Sequence, residues 1–224
     1  MVRRRTAVSI AAAGLVLASP VLTACGSGPA HQGAAAVVGD HRITIASLQS
    51  QVDEVRSAEA KDPQGGQQAV SASGGLSTQT LSMLVQNEVI DRAAADAGIK
   101  VTDAEVQQER ATALRQFNGD EKQLDSTLLT RYGVGPSGID QFFRTNVTVG
   151  KLIASLGFQP GSDNGNAAAL QTIAKTAKSL GVTVNPRYGK WDATKAVIGA
   201  STDPWVVNRT ATATAADTEF STGS

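Results

Sequence analysis

The most informative segment of this 224-residue chain is ADAGIKVTDAEV, residues 95–106. Gly98 is suited to the left-handed position that commonly follows the last turn of a helix. Thr102 and Glu105 have the spacing of a capping box, in which each side chain bonds the other residue's backbone N–H where a helix begins. The segment therefore predicts two helices joined by a short turn.

Apolar residues at helical spacing extend this pattern in both directions. The preceding helix should run from about 77 to 97. Its wide apolar face includes Leu81, Val85 and Val89 and is typical of a central helix with neighbours on more than one side. Further helices are predicted after the N-cap Thr44, from Asp103 onward, over 121–132, after the cap Ser137 and over 167–180. The chain should be mainly α, with five to six helices.

Short strand signals lie at both ends of this helical region. Residues 35–38 are small and apolar, Gly39 can supply the positive φ of a tight turn, and residues 41–43 can return beside them. Residues 182–184 give a third signal, which Pro186 ends. The sequence therefore predicts a β element of two to three strands.

Residues 1–24 are typical of a bacterial lipoprotein signal peptide. Three arginines precede a short apolar stretch, and residues 22–25 read LTAC. This tetrapeptide resembles a lipobox, in which the cysteine sulfur receives a diacylglyceryl group and cleavage makes the cysteine the new N-terminus. Cys25 is accordingly the predicted lipidation site, and residues 25–34 are expected to form a flexible tether. An ordinary secretory signal is the alternative.

Composition excludes several classes of function. Basic and acidic residues number 20 each, and removal of the three signal-peptide arginines leaves a net charge of −3, which disfavours nucleic-acid binding. The single cysteine excludes an internal disulfide, and two histidines cannot build a three-histidine metal site. We expect no cofactor and no metal.

Residues 133–138 read GVGPSG and match a dinucleotide-binding pattern literally. That pattern requires a preceding strand, whereas a helix precedes it here, so a helix–helix turn is the favoured interpretation. Asp120-Glu121 is read as the acidic start of a helix rather than a catalytic pair. A hydrolase would need His41 beside Ser27 or Ser137, but neither serine lies in a G-x-S-x-G motif and His41 lies near the predicted hairpin turn. The sequons at Asn146 and Asn208 are interpreted as chance matches.

Phe142-Phe143 has two interpretations. Their neighbours continue an apolar stripe, so a place in the core is favoured. A surface that binds client polypeptides is the alternative.

Four segments together resemble the SurA-type chaperones. They are the hairpin VVGDHRIT (37–44), the helix segment LVQNEVI (84–90), the turn segment 95–106, and VNPRYGKWD (184–192). The turn segment is the most specific of the four. The hairpin departs from the family in having Gly-Asp where Asn-Gly is common.

The resemblance implies one domain in which the C-terminal helix and strand pack back onto the N-terminal hairpin and helices. The helix over 167–180 would bury an apolar stripe containing Leu170 and Ile173. Many family members carry a parvulin prolyl isomerase module between these parts. The ten loop-like residues between Leu156 and Ala167 leave no room for one, so the resemblance implies a chaperone core without the enzyme.

The domain organisation expected from these features has four parts. Residues 1–24 are the signal peptide, 25–34 the tether, 35–207 the SurA-like helical domain, and 208–224 a disordered Thr/Ala-rich tail. Residues 62–75 should form a mobile loop within the domain.

The expected function follows from this organisation. We expect a non-enzymatic lipoprotein that is anchored to the outer face of the cytoplasmic membrane through lipid on Cys25 and that binds unfolded or exported polypeptides. A scaffold for one specific envelope complex is the alternative, and a degenerate isomerase or hydrolase is the enzymatic rival.

Overall fold

The computed structural model describes residues 33–62 and 75–199. The elements in these residues are β1 (Ala34–Val38), β2 (His41–Thr44), α1 (Ile45–Glu59), α2 (Leu76–Asp96), α3 (Asp103–Gln116), α4 (Glu121–Tyr132), α5 (Ile139–Ser155), α6 (Asp163–Leu180), β3 (Thr183–Val184), β4 (Lys190–Asp192) and β5 (Val197–Gly199). The mainly α prediction with five to six helices is confirmed. The predicted signal peptide, Cys25, most of the 25–34 tether, the 208–224 tail and most of the 62–75 loop lie outside the described residues, whereas Ala34, the last residue assigned to the tether, already belongs to β1.

A three-stranded sheet joins the two ends of the domain. β1 is the middle strand, with β2 antiparallel on one side and β3 antiparallel on the other. Gly39 has a φ of 62° at the turn between β1 and β2, as predicted. All five residues of β1 are buried. Its partner β3 comes from the other end of the domain's sequence and completes the sheet on the side away from β2. The predicted small β element is confirmed.

Helix α2 is the central element, as its wide apolar face predicts. Leu81, Val85 and Val89 have no exposed surface. The helix contacts α1, α5, α6, β1 and β5. A larger core therefore surrounds α2, and its members include Ala35, Leu48, Leu81, Val85, Leu152, Ile173 and Ile198.

A smaller core lies between α3, α4 and α5. Its buried members are Val106, Leu124, Leu128, Val134, Ile139 and Phe143. All of them come from one continuous stretch of the chain, so this core forms between neighbours in sequence.

Side-chain caps fix where several helices begin. The Thr44 hydroxyl accepts the backbone N–H of Ser47 at the start of α1, as predicted. The capping box of Thr102 and Glu105 is complete at the start of α3. Asp120 caps α4, which spans the predicted residues 121–132. These local signals were sufficient because each cap needs only residues within one turn of it.

Two predictions about helix starts were wrong. Ser137 does not cap α5, because it lies in a short 3₁₀ turn and its side chain contacts Glu54 instead. Helix α6 begins at Asp163 rather than 167, because the Ser162 side chain accepts the backbone N–H of Gly165 and caps an earlier turn.

The apolar stripe of α6 also differs from the prediction. Ile173 is buried, but Leu170 is 39% exposed. The buried positions of this helix are Gly165, Ala169, Ile173, Thr176 and Ala177. Small residues allow α6 to approach its neighbours closely, and Leu170 falls outside that face.

The antiparallel hairpin of β4 and β5 was not predicted. Its turn depends on Asp192, whose Oδ1 accepts the backbone N–H of Thr194 at 2.9 Å and the Thr194 hydroxyl at 2.8 Å. The Thr194 hydroxyl and the backbone N–H groups of the turn lower the pKa of Asp192. Ala196 follows with a φ of 51°. Residues other than glycine rarely adopt a positive φ, so the sequence does not predict this conformation.

Candidate functional site

A groove of about 700 Å³ lies beside α2. Its walls come from α1, α5, β5 and the turn that follows α4. The groove is lined by Gln51, Glu54, Val55, Gly75, Thr78, Gln79, Thr80, Ser82, Met83, Leu84, Gln86, Asn87, Tyr132, Gly133, Gly135, Ser137, Gly138, Gln141, Phe142, Thr145, Asn146, Val197 and Ile198. This volume falls within the range of clefts that take small molecules or side chains of a peptide.

The two adjacent phenylalanines have different places. Phe143 is buried in the smaller core, whereas Phe142 is only partly buried and lines the groove. The Phe142 ring lies 5.5 Å from the Tyr132 ring and 5.5 Å, edge to face, from the Phe143 ring. The core interpretation is thus confirmed for Phe143. Phe142 joins the exposed Tyr132 in an aromatic wall anchored on the core.

Uncharged polar side chains line much of the remaining surface. Most are amides or hydroxyls on α2 and α5, and several bond across the groove floor. The Thr145 hydroxyl donates to Asn87 Oδ1 at 3.0 Å, and Gln79 Nε2 donates to the Tyr132 carbonyl at 3.1 Å. Amide side chains both donate and accept hydrogen bonds, so they suit a peptide backbone, which does the same.

Glu54 is the only charged residue among those that line the groove. The backbone N–H of Ser137 donates to Glu54 Oε1 at 2.7 Å, and the Ser137 hydroxyl donates to Oε2 at 2.6 Å. The carboxylate is therefore bound at the edge of the groove by the turn beside it. The rest of the groove lining has no charged side chain that could select ligands by their charge.

This arrangement also explains the residues of the GVGPSG segment. Gly133 ends α4 in a left-handed conformation, and a Cβ on Gly135 would come within 3.2 Å of the Glu54 carboxylate. The Ser137 N–H that a phosphate would need is bound to this carboxylate. The segment is a turn between two helices, as the favoured interpretation predicts.

The enzymatic pairings considered from the sequence are not assembled. His41 Nδ1 lies 3.0 Å from Glu88 Oε1, and the partner of the Ser137 hydroxyl is Glu54. Asp120 caps α4, and the Glu121 carboxylate accepts from Arg110 at 3.0 Å. Ser27 lies outside the described residues. In the part of the chain that the structure describes, His41 and Ser137 thus have separate partners, and so do Asp120 and Glu121.

One wall of the groove was not foreseen from the sequence, because it comes from the β4–β5 hairpin. The Ser82 hydroxyl accepts the backbone N–H of Ile198 at 3.2 Å. Gln86 Nε2 donates to the Ala196 carbonyl at 2.5 Å. Ser82 and Gln86 are one turn apart on α2, so both lie on the face of that helix that the hairpin covers.

A second cavity, of about 500 Å³, lies between the end of α1 and α4. It shares Glu54 with the groove but is also lined by Lys61, Asp62, Lys122 and Asp125. Burial raises the pKa of Asp125. Because this lining is rich in charge, the first groove is the better candidate for apolar ligands.

Within 33–62 and 75–199, no group of His, Cys, Asp and Glu side chains could hold a metal ion. None of the helices in these ranges has both the length and the apolar character needed to span a bilayer.

Comparison with known proteins identifies the family. The family model described as the SurA-like N-terminal domain matches residues 1–153. The chain belongs to this family. The resemblance inferred from the sequence is confirmed, and the match reaches through β1, β2, α1 to α4 and most of α5. No curated protein and no solved structure matches the chain.

Membership places the chain among chaperone-type, non-catalytic domains that in general bind polypeptides. Helix α6, β3 and the β4–β5 hairpin follow the matched residues and complete the larger core around them. The link between α5 and α6, residues 156–162, is described in full and holds no inserted module.

Proposed function

We propose that this protein holds unfolded or exported polypeptides in the groove beside α2 and does so without isomerase activity. The observation that carries this proposal is the lining of the groove. Phe142, Tyr132, Met83 and Val197 offer apolar surface beside amide and hydroxyl groups, with Glu54 as the one charge. The chaperone-type family supports it from an independent direction.

The chemistry of this lining suits varied clients. Apolar contact is non-directional, so it accepts side chains of different shape. The amides of α2 and α5 can pair with the backbone, which every client has in common. Near-neutral walls neither attract nor repel a client for its charge.

We also propose that the protein is exported and held at the outer face of the cytoplasmic membrane by lipid on Cys25. The LTAC sequence at residues 22–25 supports this proposal. Two acyl chains provide a stable anchor. Anchoring would raise the local concentration of a weakly binding groove where exported chains emerge.

Suppression of aggregation tests the groove. The protein should slow aggregation of a reduced, unfolded model protein at near-stoichiometric ratios without ATP. Asn146→Lys places a charge in the groove from an exposed position, and Phe142→Glu replaces its aromatic wall. Both should abolish the effect. Phe158→Glu is the matched control, because Phe158 is 40% exposed and does not line the groove.

Equal activity of Asn146→Lys, Phe158→Glu and the unmodified protein would contradict the groove as the binding site. Failure to slow any aggregation, together with tight capture of one envelope protein from crosslinked membranes, would favour the scaffold alternative. Catalysis of prolyl isomerisation above background in a peptide assay would reject the non-enzymatic proposal.

Lipid anchoring is tested separately. Metabolic labelling with a tagged fatty acid should mark the protein, and Cys25→Ser should remove the label and release the protein from membranes or leave it uncleaved. A label that persists in Cys25→Ser would contradict the lipobox interpretation.

A further inference from the structure

We propose that residues 204–207 of the same chain, Pro-Trp-Val-Val, dock in the groove and occupy it when no client is bound. The docking itself depends only on the groove and the segment. Its consequence, competition with clients, rests on the proposed function.

The chain leaves the described residues at the wall of the groove. Three side chains on successive turns of α2 bond to the C-terminal part: Gln86 to Ala196, Ser82 to Ile198, and Thr78 to the Tyr188 carbonyl at 3.2 Å. Strand β5 therefore runs along α2 towards that helix's N-terminus. Val197 and Ile198 line the groove, so the chain continues past Gly199 from the groove's own wall.

The residues after Gly199 are numerous enough for Trp205 to reach the groove. Trp205 follows Gly199 by six residues, which can span up to about 20 Å. The part of α2 that lines the groove runs from Thr78 to Asn87, or roughly 14 Å at the helical rise. Asp203-Pro204 is a dipeptide that favours a turn. A turn there would direct Trp205 back along the groove.

The side chains of the segment suit the lining of the groove. Residues 204–207 carry no charge and hold three bulky apolar side chains, whereas 63–74 and 208–224 are small and polar apart from the isolated Val70 and Phe220. A tryptophan buries about 150–250 Å² when it docks. The groove has an aromatic wall and a single charged lining residue. Among the parts of residues 25–224 outside the described ranges, residues 204–207 are the best match to that lining.

Proximity makes a weak contact sufficient. A short linker gives the tethered segment an effective concentration of the order of millimolar. A free client must therefore displace it, and the apparent association constant for clients equals the intrinsic constant multiplied by the fraction of molecules whose groove is open. Only clients with stronger or longer apolar segments would compete well.

Site-specific photo-crosslinking tests the docking directly. A benzophenone analogue of phenylalanine replaces Phe142 in the full chain, which is illuminated at low concentration and mapped by tandem mass spectrometry. Adducts on residues 203–208 of the same molecule are expected. The same analogue at Phe158, outside the groove, should give none there.

Variants of the segment sharpen the result. Trp205→Ala should lower the yield of intramolecular adducts by about tenfold, since a tethered contact that loses its main anchor opens. Phe220→Ala removes the other aromatic residue beyond Gly199 and should leave the yield unchanged. Adducts that fall elsewhere in the chain, adducts between two copies, or no adducts on 203–208 would overturn the proposal.

A second measurement separates this inference from the proposed function. If both hold, Trp205→Ala should suppress aggregation of the unfolded model protein at a several-fold lower ratio than the unmodified chain, because a larger fraction of grooves is open. Adducts on 203–208 in a protein that suppresses no aggregation would leave the docking intact and reject the client-binding function. Suppression of aggregation without adducts on 203–208 would support the client-binding function and reject the docking of the segment.

Discussion

The two cores of the domain are assembled in different ways. Every buried member of the smaller core lies between Val106 and Phe143, whereas the larger core brings β1 together with α6 and β5. In the sheet, Ala36 pairs with Val184 across most of the domain's length. Formation of the smaller core closes only short loops. Formation of the larger core closes a long loop and therefore costs more conformational entropy. The groove lies where the two meet, between α2 and α5.

The largest expected effect comes from the centre of the smaller core. Phe143 is 2% exposed, so Phe143→Ala should lower the free energy of unfolding by about 3–5 kcal/mol. Phe142→Ala should cost clearly less, because that ring is only partly buried. Urea unfolding of both variants measures the difference. Equal losses would show that the two rings share one environment.

The second prediction concerns the larger core. Ile173→Ala should cost about 2–5 kcal/mol because the side chain is buried in the larger core, on a helix that packs against α2 and α5. Leu170→Ala, on the same helix but exposed, should change stability by no more than about 0.5 kcal/mol. Chemical denaturation of the pair decides whether α6 packs as described. A large loss of stability in Leu170→Ala would mean that this side chain is packed against other residues rather than exposed to solvent.

This pair also shows how far sequence reasoning reaches. Capping signals at Thr44 and Thr102 placed helix starts correctly because each acts within one turn. Periodicity identified α6 as amphipathic but assigned Leu170 to the wrong side. In that helix the closest packing uses Gly165, Ala169 and Ala177, and hydrophobicity does not mark small residues as core.

The groove was the harder part to predict. Phe142 and Phe143 are adjacent residues of the same type, and only the packing of α5 against its neighbours places Phe143 in the core and Phe142 in the groove wall. Ser82 and Gln86 gain their roles from a hairpin that lies more than a hundred residues away in sequence. No local pattern in α2 predicts that these side chains bond to the β4–β5 hairpin.

The third prediction tests the close approach of α6 to α5. A Cβ on Gly165 would lie 2.6 Å from Ile153 Cγ2 and 3.0 Å from the Gln159 carbonyl oxygen. Gly165→Ala should therefore destabilise the domain by about 1–3 kcal/mol through overpacking. Gly150→Ala, in α5 with nothing within 4 Å of the new Cβ, should instead stabilise by up to about 1 kcal/mol. Thermal melts of the two variants should move in opposite directions, and parallel shifts would contradict the packing.

The smallest expected effect is a pH dependence at the edge of the smaller core. Lys151 Nζ lies 2.5 Å from Glu105 Oε1 and links α5 to α3. The hydrogen bond from Lys151, with further bonds from Thr102, lowers the pKa of Glu105 from 4.5 to about 2. The side chain is exposed enough for solvent and salt to weaken the pair.

Because folding lowers this pKa, the contribution of Glu105 to stability is complete above about pH 4.5 and disappears as the pH falls towards 2. The unmodified protein should therefore be more stable than Glu105→Gln at pH 6, and the difference should vanish near pH 2. Glu109→Gln makes the same charge change one turn along α3, away from Lys151 and Thr102, and is the matched control. Urea titrations from pH 2 to 6 measure both differences. A gap between Glu105→Gln and the unmodified protein that stays constant with pH would show that the carboxylate supports α3 through packing rather than through its charge.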